Sequence, residues 1–117
     1  MQIEERVVGG VAIVKVSGDI TLNAGGDVRL RDKVQSLIQQ GHKQLLVVLG
    51  GVSYVDSAGL GQLVQIQTTT SNNGGKLKLL NVTKRLNDLL VVTKLVTVFD
   101  TFEDEAEALA SFGKAGV

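Results

Sequence analysis

The sequence predicts an α/β fold: one domain over residues 1–117, with a mixed, mostly parallel sheet flanked by helices in the order ββαβαβαβα. Three observations predict it. Short β-branched runs alternate with segments whose apolar residues recur at helical spacing, the pattern of strand–helix–strand units. The apolar run at residues 45–49 lacks the in–out alternation of a half-exposed strand, as strands covered on both faces do. The chain carries no repeat, linker or low-complexity stretch, and 117 residues suit one domain that buries roughly two-thirds of its unfolded surface.

Taken in order, residues 3–8 read as a short strand, and Gly9-Gly10 as a turn into a second strand built on Val11, Ile13, Val14 and Val16. A glycine-containing loop from Gly18 to Gly26 leads to a helix in which Leu30, Val34, Leu37 and Ile38 share a face. Gly41 is placed to end it, because glycine enters the left-handed conformation without a steric cost. Leu45-Leu46-Val47-Val48-Leu49 forms the next strand, closed by Gly50-Gly51. After a loop, Leu60, Leu63, Val64 and Gln67 outline a second helix that stops near Asn72-Asn73-Gly74-Gly75. Leu77, Leu79 and Leu80 make a buried strand, and Thr83 caps a third helix bearing Leu86, Leu89 and Leu90. Residues 96–99 read as the last strand. Thr101 with Asp104 three residues on resembles a capping box, opening a final helix through Ala106, Leu109 and Phe112.

Composition excludes several function classes. Twelve basic and twelve acidic residues cancel, so no global field draws the chain to nucleic acid or to an anionic membrane. Without cysteine there is no disulfide, thiolate chemistry or cysteine metal site. No apolar run approaches the roughly 20 residues that span a bilayer. Residues 1–8 carry Glu4, Glu5 and Arg6 instead of a signal-peptide core, so an intracellular, cytoplasmic protein is expected.

Nothing in the sequence assembles a catalytic or metal site. The one histidine, His42, follows the expected end of a helix, where a turn role or a favourable place beside the helix C-terminus explains it. Asp19 after the second strand reads as a turn or cap residue. Four Gly-Gly pairs suggest phosphate loops, yet none is followed by the Lys-Ser/Thr that a phosphate loop needs. Gly59-Leu60-Gly61 holds two glycines of a dinucleotide fingerprint, with Val64 at the third position. The acids Glu103, Asp104, Glu105 and Glu107 crowd one helix start, where the helix dipole favours them. The expectation is no enzyme, no cofactor and no metal.

The informative segment is Asp56-Ser57-Ala58-Gly59-Leu60-Gly61, which joins a buried strand to a helix. Asp56 and Ser57 are both good N-caps, and a capping role would account for Ser57. Gly59 and Gly61 then fall in the first turns, each costing about 1 kcal/mol relative to alanine. A surface kept flat for another molecule would explain that cost, and so would close packing of the helix on the sheet.

This hexapeptide is similar to the signature of STAS domains in bacterial anti-sigma factor antagonists. The resemblance extends along most of the chain: the initial hairpin, Asn73-Gly74-Gly75 before a strand, Lys84-Arg85-Leu86 in the third helix, Thr93-Lys94-Leu95, and Val98-Phe99-Asp100 leading to Glu105-Ala106-Glu107-Ala108-Leu109. It implies a single STAS domain that switches protein partners. By the resemblance, Ser57 is the phosphoacceptor of a serine kinase that doubles as an anti-sigma factor. Asp56, Ser57, Ala58, Gly59, Leu60 and Gly61 form the partner-binding surface. ATP would be held by the kinase, with no direct contact to nucleic acid and no membrane insertion. The alternative is a STAS subunit of a transporter or lipid-trafficking complex, in which Ser57 is only a cap. Two stretches depart from the family pattern: the glycine-rich loop Thr21-Leu22-Asn23-Ala24-Gly25-Gly26 is longer than usual, and Leu49-Gly50-Gly51 stands where many relatives end the strand with a polar residue. Neither the partner nor the oligomeric state is legible in the sequence.

Overall fold

The structure is a computed structural model that describes residues 2–21 and 26–115. Five strands, β1 (Gln2–Val8), β2 (Val11–Ile20), β3 (Gln44–Val55), β4 (Lys76–Leu80) and β5 (Asp100–Phe102), lie in that order in one sheet. Four helices complete it: α1 (Gly26–Gln39), α2 (Ser57–Asn72), α3 (Lys84–Val92) and α4 (Glu105–Ala115). The expected order ββαβαβαβα is therefore observed.

Gly9 and Gly10 both have positive φ, +56° and +83°. That is the primed turn geometry that matches strand twist, and it sets β1 antiparallel to β2 from Val8↔Val11 outward. Every later pair is parallel. Each new strand is added on the same side of its predecessor, so right-handed crossovers place α1, α2 and α3 on one face. There Leu30, Val34, Leu37, Leu60, Leu63, Ile66, Leu86 and Leu90 pack with Val14, Val16, Val47 and Leu79 into the main core. Among the described residues α4 covers the other face, where Ala108 and Phe112 meet Ile13, Leu46 and Leu80. Lys78 is buried on that side, with its Nζ 4.8 Å from the Phe112 ring centroid and 2.8 Å from Ser111 Oγ, to which it donates. β1 is tied to both faces by ion pairs, Glu5 with Lys33 of α1 and Arg6 with Glu105 of α4.

The helix ends follow the glycines. Gly41 adopts φ +95°, its N–H bonds to the Ile38 carbonyl, and the His42 N–H bonds to that of Leu37. This is the double-bonded wrap that satisfies the last carbonyls of a helix. Gly74 and Gly75 do the same for α2, and Thr83 Oγ1 accepts from the Leu86 N–H to cap α3, as expected.

Four expectations are corrected. The strand opened by Leu45 does not close at Gly50-Gly51: β3 runs on to Val55. Gly51 pairs with Ser17, and the β2–β3 register shifts between Lys15 and Ser17 and again between Gly18 and Asp19. The glycines thus mark a bulged stretch, where a missing side chain lets the partner strand approach. β2 likewise continues through Gly18 and Asp19 to Ile20, so Asp19 is an exposed strand residue rather than a cap. Residues 96–99 are not a strand. Lys94 takes φ +63°, Leu95 N–H bonds back to the Leu90 carbonyl and Val98 N–H to that of Leu95, and these local turns defeat the β-propensity of the valines. The last strand is Asp100–Phe102, in which Thr101 pairs with Leu79; the cap of α4 is Asp104, whose carboxylate accepts from the Ala106 N–H at 2.8 Å. Of the glycine-rich loop, Leu22, Asn23, Ala24 and Gly25 lie outside the described residues.

Candidate functional site

Val55 ends β3, one residue, Asp56, turns the chain, and Ser57 begins α2. Asp56 is extended (φ −90°, ψ −177°) and its Oδ1 accepts from the Gly59 N–H at 2.8 Å. Its backbone carbonyl accepts from Leu60 N–H at 2.9 Å, and its own N–H donates to the Ile20 carbonyl at 3.3 Å. Asp56 is therefore the N-cap, and the capping role open to Ser57 in the sequence belongs to its neighbour. Ser57 is the first helical residue, exposed, with its hydroxyl outside the capping bond. The first turn of α2 contains no acidic residue, and the Asp56 carboxylate stands at the positive end of the helix dipole.

The other signature residues divide between surface and interior. Ala58 is half-buried and Gly61 exposed, with no atom within 4 Å of where a β-carbon would stand. Gly59 is buried, and a β-carbon on it would lie 2.0 Å from the Ile20 carbonyl oxygen. Leu60 is in the main core. Ser57 and Gly61 are thus exposed and Ala58 partly so, whereas Gly59 and Leu60 pack the helix start against the sheet and core.

Beside this helix start lies a cleft of about 340 Å³ between the end of β3 and helix α3. Val52, Tyr54 and Val55 form one wall; Arg85, Leu86, Leu89 and Val92 form the other. Tyr54 and Val92 are large apolar surfaces left in the open, 48% and 78% exposed. The sequence reading missed this wall by treating residues 52–55 as a loop, although Val-Ser-Tyr-Val is strand-forming in composition. Among the described residues no group of three or more His, Cys, Asp or Glu could hold a metal, and no helix is long and apolar enough to cross a membrane. His42 lies just beyond α1, its N–H bonded to the Leu37 carbonyl.

The STAS domain family model matches residues 2–108. The chain is 35% identical over 96 residues to the anti-sigma-B factor antagonist of Bacillus subtilis (strain 168), covering 77% of this chain and 87% of that one. Among solved structures it resembles an anti-sigma factor antagonist from Mycobacterium paratuberculosis, with a TM-score of 0.81 at 19% identity over 94% of this chain and 92% of that one. It also resembles the Bacillus cell fate determinant SpoIIAA in its phosphorylated form, with a TM-score of 0.73 at 18% identity over 95% and 99% of the two chains. At such identities the structural likenesses establish the fold.

Proposed function

This chain belongs to the STAS domain family, and from that premise we propose that it is a cytoplasmic anti-sigma factor antagonist, a protein-binding switch and not an enzyme. In its unphosphorylated form it binds an anti-sigma factor that is also a serine kinase, which frees a sigma factor; phosphorylation of Ser57 ends the binding. The observation that carries the reading is the division of labour at the start of α2: Asp56 holds the helix, and Ser57 is left exposed at its first position. A kinase can therefore take the Ser57 hydroxyl without undoing the cap.

The chemistry follows from the position. The Ser57 hydroxyl attacks the γ-phosphorus of ATP bound to the kinase, the hydroxyl proton passes to the kinase, and ADP leaves. The new phosphate adds about −1.5 to −2 charges and strong acceptor oxygens. Backbone N–H groups of the first turn and the helix dipole favour it by only about 0.3–1 kcal/mol, so the fold stays as it is. Within an interface, desolvating that charge or setting it against an acid costs several kcal/mol, and each ~1.4 kcal/mol is tenfold in affinity. The switch thus acts by excluding the partner. The antagonist name of the 35%-identical Bacillus subtilis relative supports the role.

A pull-down from the native cell with wild type and Ser57→Asp supplies the partner: a serine kinase retained by wild type and lost by the variant is expected, and transporter subunits retained by both would favour the alternative role. Wild type is then incubated with the recovered kinase and ATP, the phosphate is mapped by mass spectrometry, and both forms are titrated against the kinase. Phosphate on another residue, or equal affinity of the two forms, would overturn the reading.

A further inference from the structure

Strand β3 outruns its neighbour. Its pairing with β4 stops at Val48↔Leu80, while its pairing with β2 continues to Ile20↔Val55. The cause is Asn81. Its φ is +57° and its N–H bonds to the Phe102 carbonyl, which turns the chain away from β3 and into the segment that starts α3. Residues 49–55 therefore have a strand on one side only. The cleft beside α3 runs along this uncovered side. Consecutive residues Val52, Ser53, Tyr54 and Val55 all line it, although neighbouring side chains of a strand face opposite sides of the sheet. Ser53 is the extra residue between the pairs Gly18↔Val52 and Asp19↔Tyr54, so the alternation breaks here and residues from both sides of the strand line the cleft along its unpaired edge.

Sheet edges are ordinarily defended. β1, the outer edge strand, carries Glu4, Glu5 and Arg6, and β5 at the other side is only three residues long. The edge of β3 has neither charge nor shortness to defend it: Leu49-Gly50-Gly51-Val52-Ser53-Tyr54-Val55 holds no charge and no proline, and only the two bulges in its pairing with β2 interrupt it. We propose that this edge and cleft form a docking site for an extended segment of a partner protein, which adds to β3 as a further strand.

The site specifies the chemistry of that segment. Its backbone pairs with the uncovered groups of residues 52–55, a reach of about 13 Å at ~3.3 Å per residue. Alternate apolar side chains enter between Leu86, Leu89 and Val92 and cover Tyr54. Arg85 and Asp88, both exposed on the α3 wall, take part in no ion pair among the described residues. The complementary segment carries an acid opposite Arg85 and a base opposite Asp88. Main-chain pairing supplies affinity and the side-chain slots supply selectivity. The inference goes beyond the switch at Ser57 and needs neither kinase nor phosphate, so the two can fail separately.

The test pans a phage-displayed library of random linear peptides, about 12 residues long, against the full chain and uses the best binder, synthesised, as the probe. Tyr54 is the single tyrosine in a chain without tryptophan, so its fluorescence reports occupancy. Expected are peptides with alternating apolar residues, and backbone amides within residues 52–55 that gain protection from hydrogen exchange on binding. N-methylating alternate amides along the bonding edge of the probe should weaken it at least tenfold, and methylating the opposite edge should change little. Val92→Lys, at an exposed position, should weaken binding by a similar factor while leaving the denaturation midpoint in place, and Arg85→Glu should shift selection from acidic to basic peptides. Recovery of no such peptide, equal effects of methylation on both edges, or indifference to Val92→Lys would overturn the proposal. So would a concentration-dependent dimer abolished by Val92→Lys, which would make a second copy the occupant.

Discussion

Gly59 lies against Ile20 so closely that a β-carbon on the glycine would stand 2.0 Å from the Ile20 carbonyl oxygen. This contact sets how α2 sits on β2, and with it where Ser57 emerges. Gly61, two residues on, faces open space. The two glycines of the signature therefore respond in opposite senses to the same substitution. Gly59→Ala must push the helix off the strand and should cost about 1–3 kcal/mol. Gly61→Ala should stabilise by up to about 1 kcal/mol, because it removes only the helical penalty of glycine. Urea denaturation of both variants measures the pair; a loss at Gly61 similar to that at Gly59 would show that Gly61 also serves packing.

The cap assignment gives a second prediction. Asp56→Ala removes the bond to the Gly59 N–H and should cost about 0.5–2 kcal/mol. Ser57→Ala removes an exposed hydroxyl and should stay within about 0.5 kcal/mol of wild type, as surface changes do. Thermal denaturation distinguishes them, and a larger loss for Ser57→Ala would return the cap to the serine.

Lys94 ends α3 in the left-handed conformation, φ +63°, a place that usually belongs to glycine. A β-carbon costs about 1–2 kcal/mol there, offset partly by the greater freedom glycine gives the unfolded chain. Lys94→Gly should therefore raise stability by about 0.5–1 kcal/mol. An unchanged or lowered unfolding midpoint would contradict this.

Lys78 buries its stem beneath α4, with its ammonium 5.6 Å and 4.8 Å from the centroids of the Phe102 and Phe112 rings. Lys78→Ala loses the packed stem and the cation–ring attraction, and should cost about 2 kcal/mol. Lys78→Met keeps the stem and should lose about half as much. Equal losses for the two would place the whole contribution in the charge.

The number, type and order of the elements were legible in the sequence because they depend on local rules. Gly9-Gly10, Gly41 and Gly74 punctuate where positive φ is needed, and Leu30, Val34, Leu37, Leu86 and Leu90 keep helical spacing. The location of the candidate site was legible as well, since its residues are contiguous. Tertiary structure decided what depends on neighbours distant in sequence. Whether Gly50-Gly51 ends a strand or bulges within it depends on Ser17 lying opposite. The valines at 96 and 98 lose to turns that Lys94 begins, and Thr101 enters β5 because Leu79 is there to pair with it. Asp56 or Ser57 could each cap a helix in isolation; Asp56 does so because its N–H is held by the Ile20 carbonyl, which leaves its side chain facing the first turn. The uncovered edge of β3 exists only because β4 stops short of it, a difference in length between two strands that no local pattern in either one records.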